Sequence, residues 1–220
     1  MKEEILKNSL QHFLQYGIRE MSNQKLVELL GISTKTIYKH FKNKEELLEE
    51  ALYLYHAQVQ ESLKNFPINE SAACQFYDFW HKAVMDEYDV NDAFFRDLHF
   101  YFPKFARKVE DAVKKNYTQE FLRIIQRGIE VGSFRKDIIQ EIVLENIFLQ
   151  YGSIARSDRF RQFGVSADDI LQNTIATTVR GICTAKGVKE IDEHLKTRHP
   201  SVKSKSSAKT VPLTLKLKQQ

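Results

Sequence analysis

The chain has 220 residues, 42% hydrophobic and 28% charged, with a formal net charge of +4. That length can bury one large or two modest cores, and the balance is ordinary for a soluble protein. No apolar run approaches the ~20 residues of a membrane helix. The start MKEEILKNSL has no signal-peptide core, and Cys74 and Cys183 do not suggest a disulfide framework, so no membrane association and a cytoplasmic location are expected.

The most informative stretch in chain order is SNQKLVELLGISTKTIYKHF, residues 22–41. Leu26, Leu29 and Leu30 share one helical face, flanked by Val27. Ser22 can cap the start of that helix, and Gly31 tolerates the positive φ at which it stops. Ile32 can tuck into the corner, and Ser33 or Thr34 can cap a second helix with Ile37 and Phe41 inward. Lys35, Thr36, Tyr38, Lys39 and His40 then face out. From Thr34 to Lys44 there are four lysines and no acid. Two short capped helices with a Gly-apolar-Ser/Thr turn have the layout of a helix-turn-helix, which lays its second helix in the DNA major groove. A basic amphipathic helix alone is as often a solvated face; the turn makes the difference.

Asn43 followed by Glu46 makes a capping-box-like start for a third element, with Lys44 in its first turn. One long helix is expected from Glu45 to about Asn65, broken at Phe66-Pro67. Another spans about 71–88. The stretch 92–116 should be helical with an interruption before Pro103, because the residue preceding proline leaves the helical region. Helices follow at about 117–131, 138–155 and 167–186, with Gly132 and the Gly164/Ser166–Asp169 cap as boundaries. No strand pattern or internal repeat is evident. The expected class is all-α: a three-helix DNA-binding head at 1–48, a helical ligand-binding and dimerisation body at 49–195, and a disordered basic tail at 196–220. The tail holds seven Lys or Arg and no acid, leaving 26 basic against 29 acidic residues elsewhere, a net −3. It reads as a solvated terminus or as a source of non-specific phosphate attraction.

Eleven of the chain's 25 aromatic residues fall between Phe76 and Phe105. Packing is the plain explanation for any one of them, but their number favours a core with a cavity for an apolar or aromatic small molecule. Tyr77, Trp80, His81, His99 and Tyr101 are the candidate lining. The last two helices read as a dimer surface, through Ile142, Phe148 and Tyr151 on one and Ile175, Val179 and Ile182 on the other, with packing inside one chain as the alternative.

The segment GISTKTIYKHFKNKEELL, with Tyr-x-His-Phe-x-x-Lys-x-Glu-Leu from Tyr38 to Leu47, resembles the hallmark of TetR-type transcriptional regulators. ILKNSLQHFLQYGIREMS is similar to that family's first helix, with Phe13 and Gly17 in the expected places. GIEVGSFRKDI, at 128–138, is similar to a turn between its late helices. The resemblance implies a homodimer closed by a four-helix bundle, and phosphate-holding roles for Tyr38 and Lys44.

The DNA-binding set is therefore Ser22, Ser33, Thr34, Lys35, Thr36, Tyr38, Lys39, His40 and Lys44. Lys35, Thr36 and His40 suit base edges, whereas Lys39 and the helix starts at Ser22 and Asn43 suit phosphates. The expected function is a homodimeric repressor, released from a palindromic operator in double-stranded DNA by a small apolar or aromatic effector. A DNA-binding protein without an effector, whose body serves protein partners, is the alternative. No Gly-rich phosphate loop, HExxH, Cys-x-x-Cys or G-x-S-x-G occurs, and the seven histidines lack metal-ligand spacing. No enzyme activity, cofactor or metal is expected.

Overall fold

The computed structural model describes residues 1–64, 66 and 71–198. Their regular structure is helical, apart from an isolated bridge between Phe134 and Cys183. Four helices open the chain: α1 (Lys2–Tyr16), α2 (Asn23–Leu30), α3 (Thr34–Tyr38) and α4 (Lys44–Lys64). They are followed by α5 (Ala72–Tyr88), α6 (Asp92–Tyr101), α7 (Pro103–Glu130) and α8 (Gln140–Ala155). After a short 3-10 turn at Arg161–Phe163 come α9 (Ala167–Asn173), α10 (Ile175–Ile182) and α11 (Ala185–Arg198).

Local chemistry explains most boundaries. Gly17 ends α1 at φ 85, with Ala93 and Asp97 so close that a Cβ would press on both. Phe102 leaves the helical region at φ −128 and ψ 47, and Pro103 starts α7 where its missing N–H costs nothing. Ser166 and Asp169 form a reciprocal capping box at the start of α9.

Three expectations fail. The helices foreseen at 92–116 and 117–131 are, after the break at Phe102, a single α7, since no Gly or Pro interrupts 104–127. The helix foreseen at 167–186 is broken at Thr174, whose hydroxyl bonds back to the Ile170 carbonyl, and stops at extended Cys183. Beyond it α11 runs to Arg198, into the segment expected as tail; the remaining tail, 199–220, and Pro67 lie outside the described residues.

Two apolar clusters form the interior. The first gathers Phe13, Met21, Leu26, Ile37, Phe41 and Leu47 and continues through α4 to Phe94, Phe95 and Leu98 of α6. The second is built on α5, the later part of α7, and α8 to α11. α11 closes it by burying Ile191, and its Glu190 carboxylate accepts both the Ser71 and Ser133 hydroxyls, at 2.7 and 2.8 Å. α7 runs through both clusters, with Ala106 in the first and Phe121 in the second.

At the boundary between them lies Glu87 of α5, only 3% exposed. One carboxylate oxygen accepts the Tyr55 hydroxyl of α4 at 2.7 Å; the Arg156 guanidinium, just past α8, donates to both oxygens at 2.8 and 3.2 Å. Burial pushes the Glu87 carboxyl up, but the guanidinium and the hydrogen bonds outweigh it and hold the group below its ordinary 4.5. A carboxylate with a depressed value stabilises the fold above 4.5 and loses that contribution as pH falls through its folded value. Glu87→Gln should therefore lower the melting temperature most near neutral pH, and its deficit against wild type should shrink as pH falls below the ordinary 4.5 and through the folded value. Parallel melting curves of the two proteins across that range would show that the charge does not contribute.

Candidate nucleic-acid interface

Between Ser22 and Phe41 the backbone is pinned at each corner. Ser22 Oγ accepts the Lys25 N–H at 3.2 Å, and Gly31 ends α2 in the left-handed region at φ 63 and ψ 27. Ile32 packs half-buried at the corner. Of the two candidate caps for α3, Ser33 is the one used: its hydroxyl accepts the Thr36 N–H at 3.1 Å and bonds the Thr36 hydroxyl at 2.9 Å. Asn43 Oδ1 accepts the Glu46 N–H at 2.8 Å, while the Glu46 carboxylate turns back to the Lys42 N–H rather than to that of Asn43.

α3 is short, five residues, and Lys39 and His40 form the turn that follows it. Ile37 and Phe41 are buried in the first cluster, and α3 packs on α2. Ser22, Ser33, Thr34, Lys35 and Lys39 are exposed, and Thr36, Tyr38 and His40 are half-buried. The structure thus brings Ser33 to His40 together on one compact element, with Lys35 and Lys39 a helical turn apart. Its first turn carries no acid, so the amide dipoles and the lysines make one continuous positive surface.

Lys44 is different. Its ammonium donates to the Ile18 carbonyl at 3.2 Å across a cleft of about 300 Å³ lined also by Arg19, Glu45, Leu48 and Tyr101. Burial pulls its pKa below the ordinary 10.5, against the opposing pull of Glu45 and Asp97. Arg19 is also held there by its backbone, which donates to Asp97 at 2.7 Å.

Of the residues expected to line a ligand pocket, Tyr77, Trp80 and His81 lie together on α5, while His99 and Tyr101 lie apart from them. Tyr77 and Trp80 are buried in the second cluster, where Trp80 stacks on Phe121 at 4.8 Å and meets Phe148 edge-on at 5.3 Å. Tyr77 is hydrogen-bonded to Gln172, and His81 bonds Asp168 at 2.8 Å. His99 sits elsewhere, on exposed α6, between the Phe95 carbonyl at 2.7 Å and Glu110 at 2.9 Å. It borders an open groove of about 530 Å³ with Phe95, Phe100 and Arg156. Tyr101 is exposed at the Lys44 cleft. Aromatic density in the sequence predicted one cavity; the rings instead divide between two clusters and the surface, and those of α5 fill their space by packing on one another.

Three of the six residues expected at a dimer surface lie inside the chain's own core. Ile175, Val179 and Ile182 are buried in the chain's own core, because the apolar stripe of α10 closes the second cluster. Phe148 and Tyr151 are half-buried against Trp80. Ile142 alone of the six stands out in solvent, 63% exposed, and is accompanied by Ile139 at 63% and Leu149 at 65%. Amphipathicity identifies an apolar stripe but not which core it covers.

Tyr55, Glu87 and Arg156 escaped sequence reasoning. They lie 32 and 69 residues apart, and no local pattern joins them.

Comparison with known proteins agrees with this geometry. The family model described as bacterial regulatory proteins, tetR family, matches residues 5–51. This amino-terminal segment belongs to the TetR family. The match covers the elements that build the helix-turn-helix, from α1 to the first turns of α4. Its overall fold is similar to that of a TetR transcriptional regulator from Chloroflexus aurantiacus, with TM-score 0.65 at 16% identity over 84% of this chain and 96% of that one. The ketosteroid transcriptional regulator KstR2 of Mycobacterium tuberculosis gives TM-score 0.62 at 18% identity, over 83% and 95%. A TetR-family protein from Vibrio parahaemolyticus gives 0.56 at 23%, over 83% and 98%. A search of curated proteins by sequence finds no match. Among the described residues no helix is long and apolar enough to cross a membrane.

The cap geometry of the TetR-type domain is directly testable. Ser33→Ala should cost about 1 kcal/mol, a fall in melting temperature of about 2–4 °C, whereas Thr34→Ala should leave it unchanged or slightly raised. Thermal denaturation followed by circular dichroism distinguishes the two; equal losses would mean that both hydroxyls cap α3.

Proposed function

We propose that the chain is a homodimeric transcriptional repressor that binds a palindromic operator and is released by a small apolar or aromatic effector. The observation that carries the DNA-reading part is the pinned α3, with Lys35 and Lys39 exposed on an acid-free surface. Residues 1–48 are the reading unit in this proposal, and 49–195 the sensing and pairing unit. Lys35, Thr36 and His40 read base edges, with lysine suited to guanine O6 and N7. Tyr38, Lys39 and the amides behind Ser22, Ser33 and Thr34 hold phosphates. Lys44, held against Ile18, contributes by fixing the turn after α1 as much as by its charge.

One α3 of five residues contacts too few bases for a unique address. Pairing two heads, about 34–36 Å apart, places them in successive major grooves and doubles the site. The exposed Ile139, Ile142 and Leu149 of the α8 region, which share a side with the polar Glu145 and Asn146, support pairing there through an apolar and polar face. α10 borders α8 through the Gln150–Thr178 bond and turns Thr177 and Gly181 outward, which allows close approach of a second helix.

For release, an effector bound in the body displaces α4 and so alters head separation. A coupling of about 1–3 kcal/mol changes operator affinity roughly 5- to 150-fold. The ketosteroid named for the Mycobacterium relative supports an apolar ligand. The alternative, a regulator without an effector whose body serves protein partners, draws support from the mutual packing of the α5 rings. Operator release by candidate apolar compounds separates the two.

Selection from a random duplex pool should enrich a palindrome; asymmetric single sites alone would count against the paired reader. Within the enriched site, Lys35→Ala should relax preference at particular base pairs by about 1–3 kcal/mol, while Lys39→Ala weakens all sequences alike and lowers the salt slope by about one. Competition binding at several salt concentrations measures both. Leu149→Glu should leave the helical signal intact but shift the protein to monomer in analytical ultracentrifugation. A dimer that persists would move the pairing face elsewhere.

A further inference from the structure

Two groups of elements meet at a seam. The first apolar cluster carries Tyr55 of α4 and Phe95 of α6; the second carries α5 and Tyr151 of α8. α4 packs along α1 for much of its length and touches the body helices at few points. Two of those contacts are ring on ring, Tyr53 edge-on to Phe105 of α7 at 5.0 Å and Tyr55 edge-on to Phe94 at 5.7 Å, and one is polar: the Tyr55 hydroxyl donates to Glu87. Arg156 completes the joint from the other side, bonding Glu87 while its guanidinium lies over Phe95 at 5.3 Å and Tyr151 at 5.4 Å. One buried carboxylate thus holds α4, α5 and the end of α8, and its cation covers a ring of α6.

Such a joint behaves unlike an apolar contact. Greasy surfaces slide by an ångström with little penalty, but hydrogen bonds weaken steeply when stretched or bent. Displacing α4 along its axis breaks the Tyr55 bond and leaves a buried oxygen of Glu87 one partner short, which is costly in a dry seam. α4 begins directly after the turn that closes α3, so its angle is transmitted to the recognition element.

We propose that Glu87, with Tyr55 and Arg156, forms the positioning joint that sets the angle of the α3-bearing head relative to the body, and thereby the half-site separation that the protein reads. The half-site consequence rests on the paired-reader function proposed above; the angle itself does not. Arg156 also borders the open groove beside Phe95, His99 and Phe100, so the joint is within reach of solvent from that side.

Tyr55→Phe is the sparing test, since it removes one hydroxyl and keeps the ring against Phe94. Glu87→Gln is the stronger one. Spin labels at Gln24→Cys in α2 and Lys189→Cys in α11, in protein diluted with unlabelled chain, report the head-to-body distance without DNA; both native cysteines are buried. Tyr55→Phe should broaden or shift that distance distribution. On DNA it should weaken the best two-half-site duplex by about 5-fold or more and change the preferred separation, while a single half-site is bound within about 2-fold of wild type. Glu87→Gln should move the same readouts further in the same direction. An unchanged distance distribution in both variants overturns the inference whatever the DNA result. Equal losses on single and paired half-sites also overturn it, since they indicate a weakened head rather than a misplaced one. Wild-type protein that ignores paired half-sites overturns the dimeric reading instead, and the label distance still decides the angle.

Discussion

A single carboxylate buried where two apolar clusters meet governs how the parts of this molecule are held. Removing Glu87 from water is unfavourable unless each oxygen is answered, and here they are answered from α4 and from the end of α8. Helix α7 runs through both clusters and joins them, but apolar packing alone leaves the placement of α4 on the body loosely specified. The polar joint supplies that missing direction. It also couples Tyr55 of α4, the helix that follows the amino-terminal reading unit, to Glu87, 32 residues on, and through it to Arg156, a further 69 residues away, by contacts that exist only in the assembled fold.

The reading unit itself is a product of short-range chemistry. Ser22, Ser33 and Asn43 each accept a backbone N–H three residues on, and Gly31 turns the chain where other residues would be strained. These caps hold a helix that is too short to be stable by itself. Burial of Ile37 and Phe41 then fixes its rotation, so the lysines face out. The capping and burial are separable: hydroxyls set where α3 begins, and the apolar pair sets which way it faces. Lys44 shows what charge in the sequence leaves out, because this lysine beside the recognition element also donates to a backbone carbonyl that fixes the turn after α1.

In the body, rings do the work of a core. Phe76, Phe79, Trp80, Phe121 and Phe148 meet edge-on or stacked at 4.5 to 6.3 Å between centroids, the arrangement that favours aromatic contact over mere area. Such a core is rigid, and rigidity suits a frame that must hold a head at a fixed angle. Solvent-facing apolar residues lie elsewhere: Ile139, Ile142 and Leu149 on the outer side of the α8 region, and Phe100 and Tyr101 at the end of α6.

By itself the sequence determined the features that depend on neighbours within a few residues. The all-α class, the α2–α3 turn with its caps, the break before Pro103, and the boundaries at Gly132 and Gly164 were legible because hydrogen bonding and φ preference act over one helical turn. Tertiary structure alone decided what depends on the partner of a face. The apolar stripes of α8 and α10 looked equivalent along the chain, yet Val179 turned inward and Ile142 outward, since amphipathicity carries no label for the surface it will meet. The same holds for the aromatic residues that divided between two clusters, for α11 and its closure of the body, and for Tyr55, Glu87 and Arg156, whose meeting required the whole chain to fold.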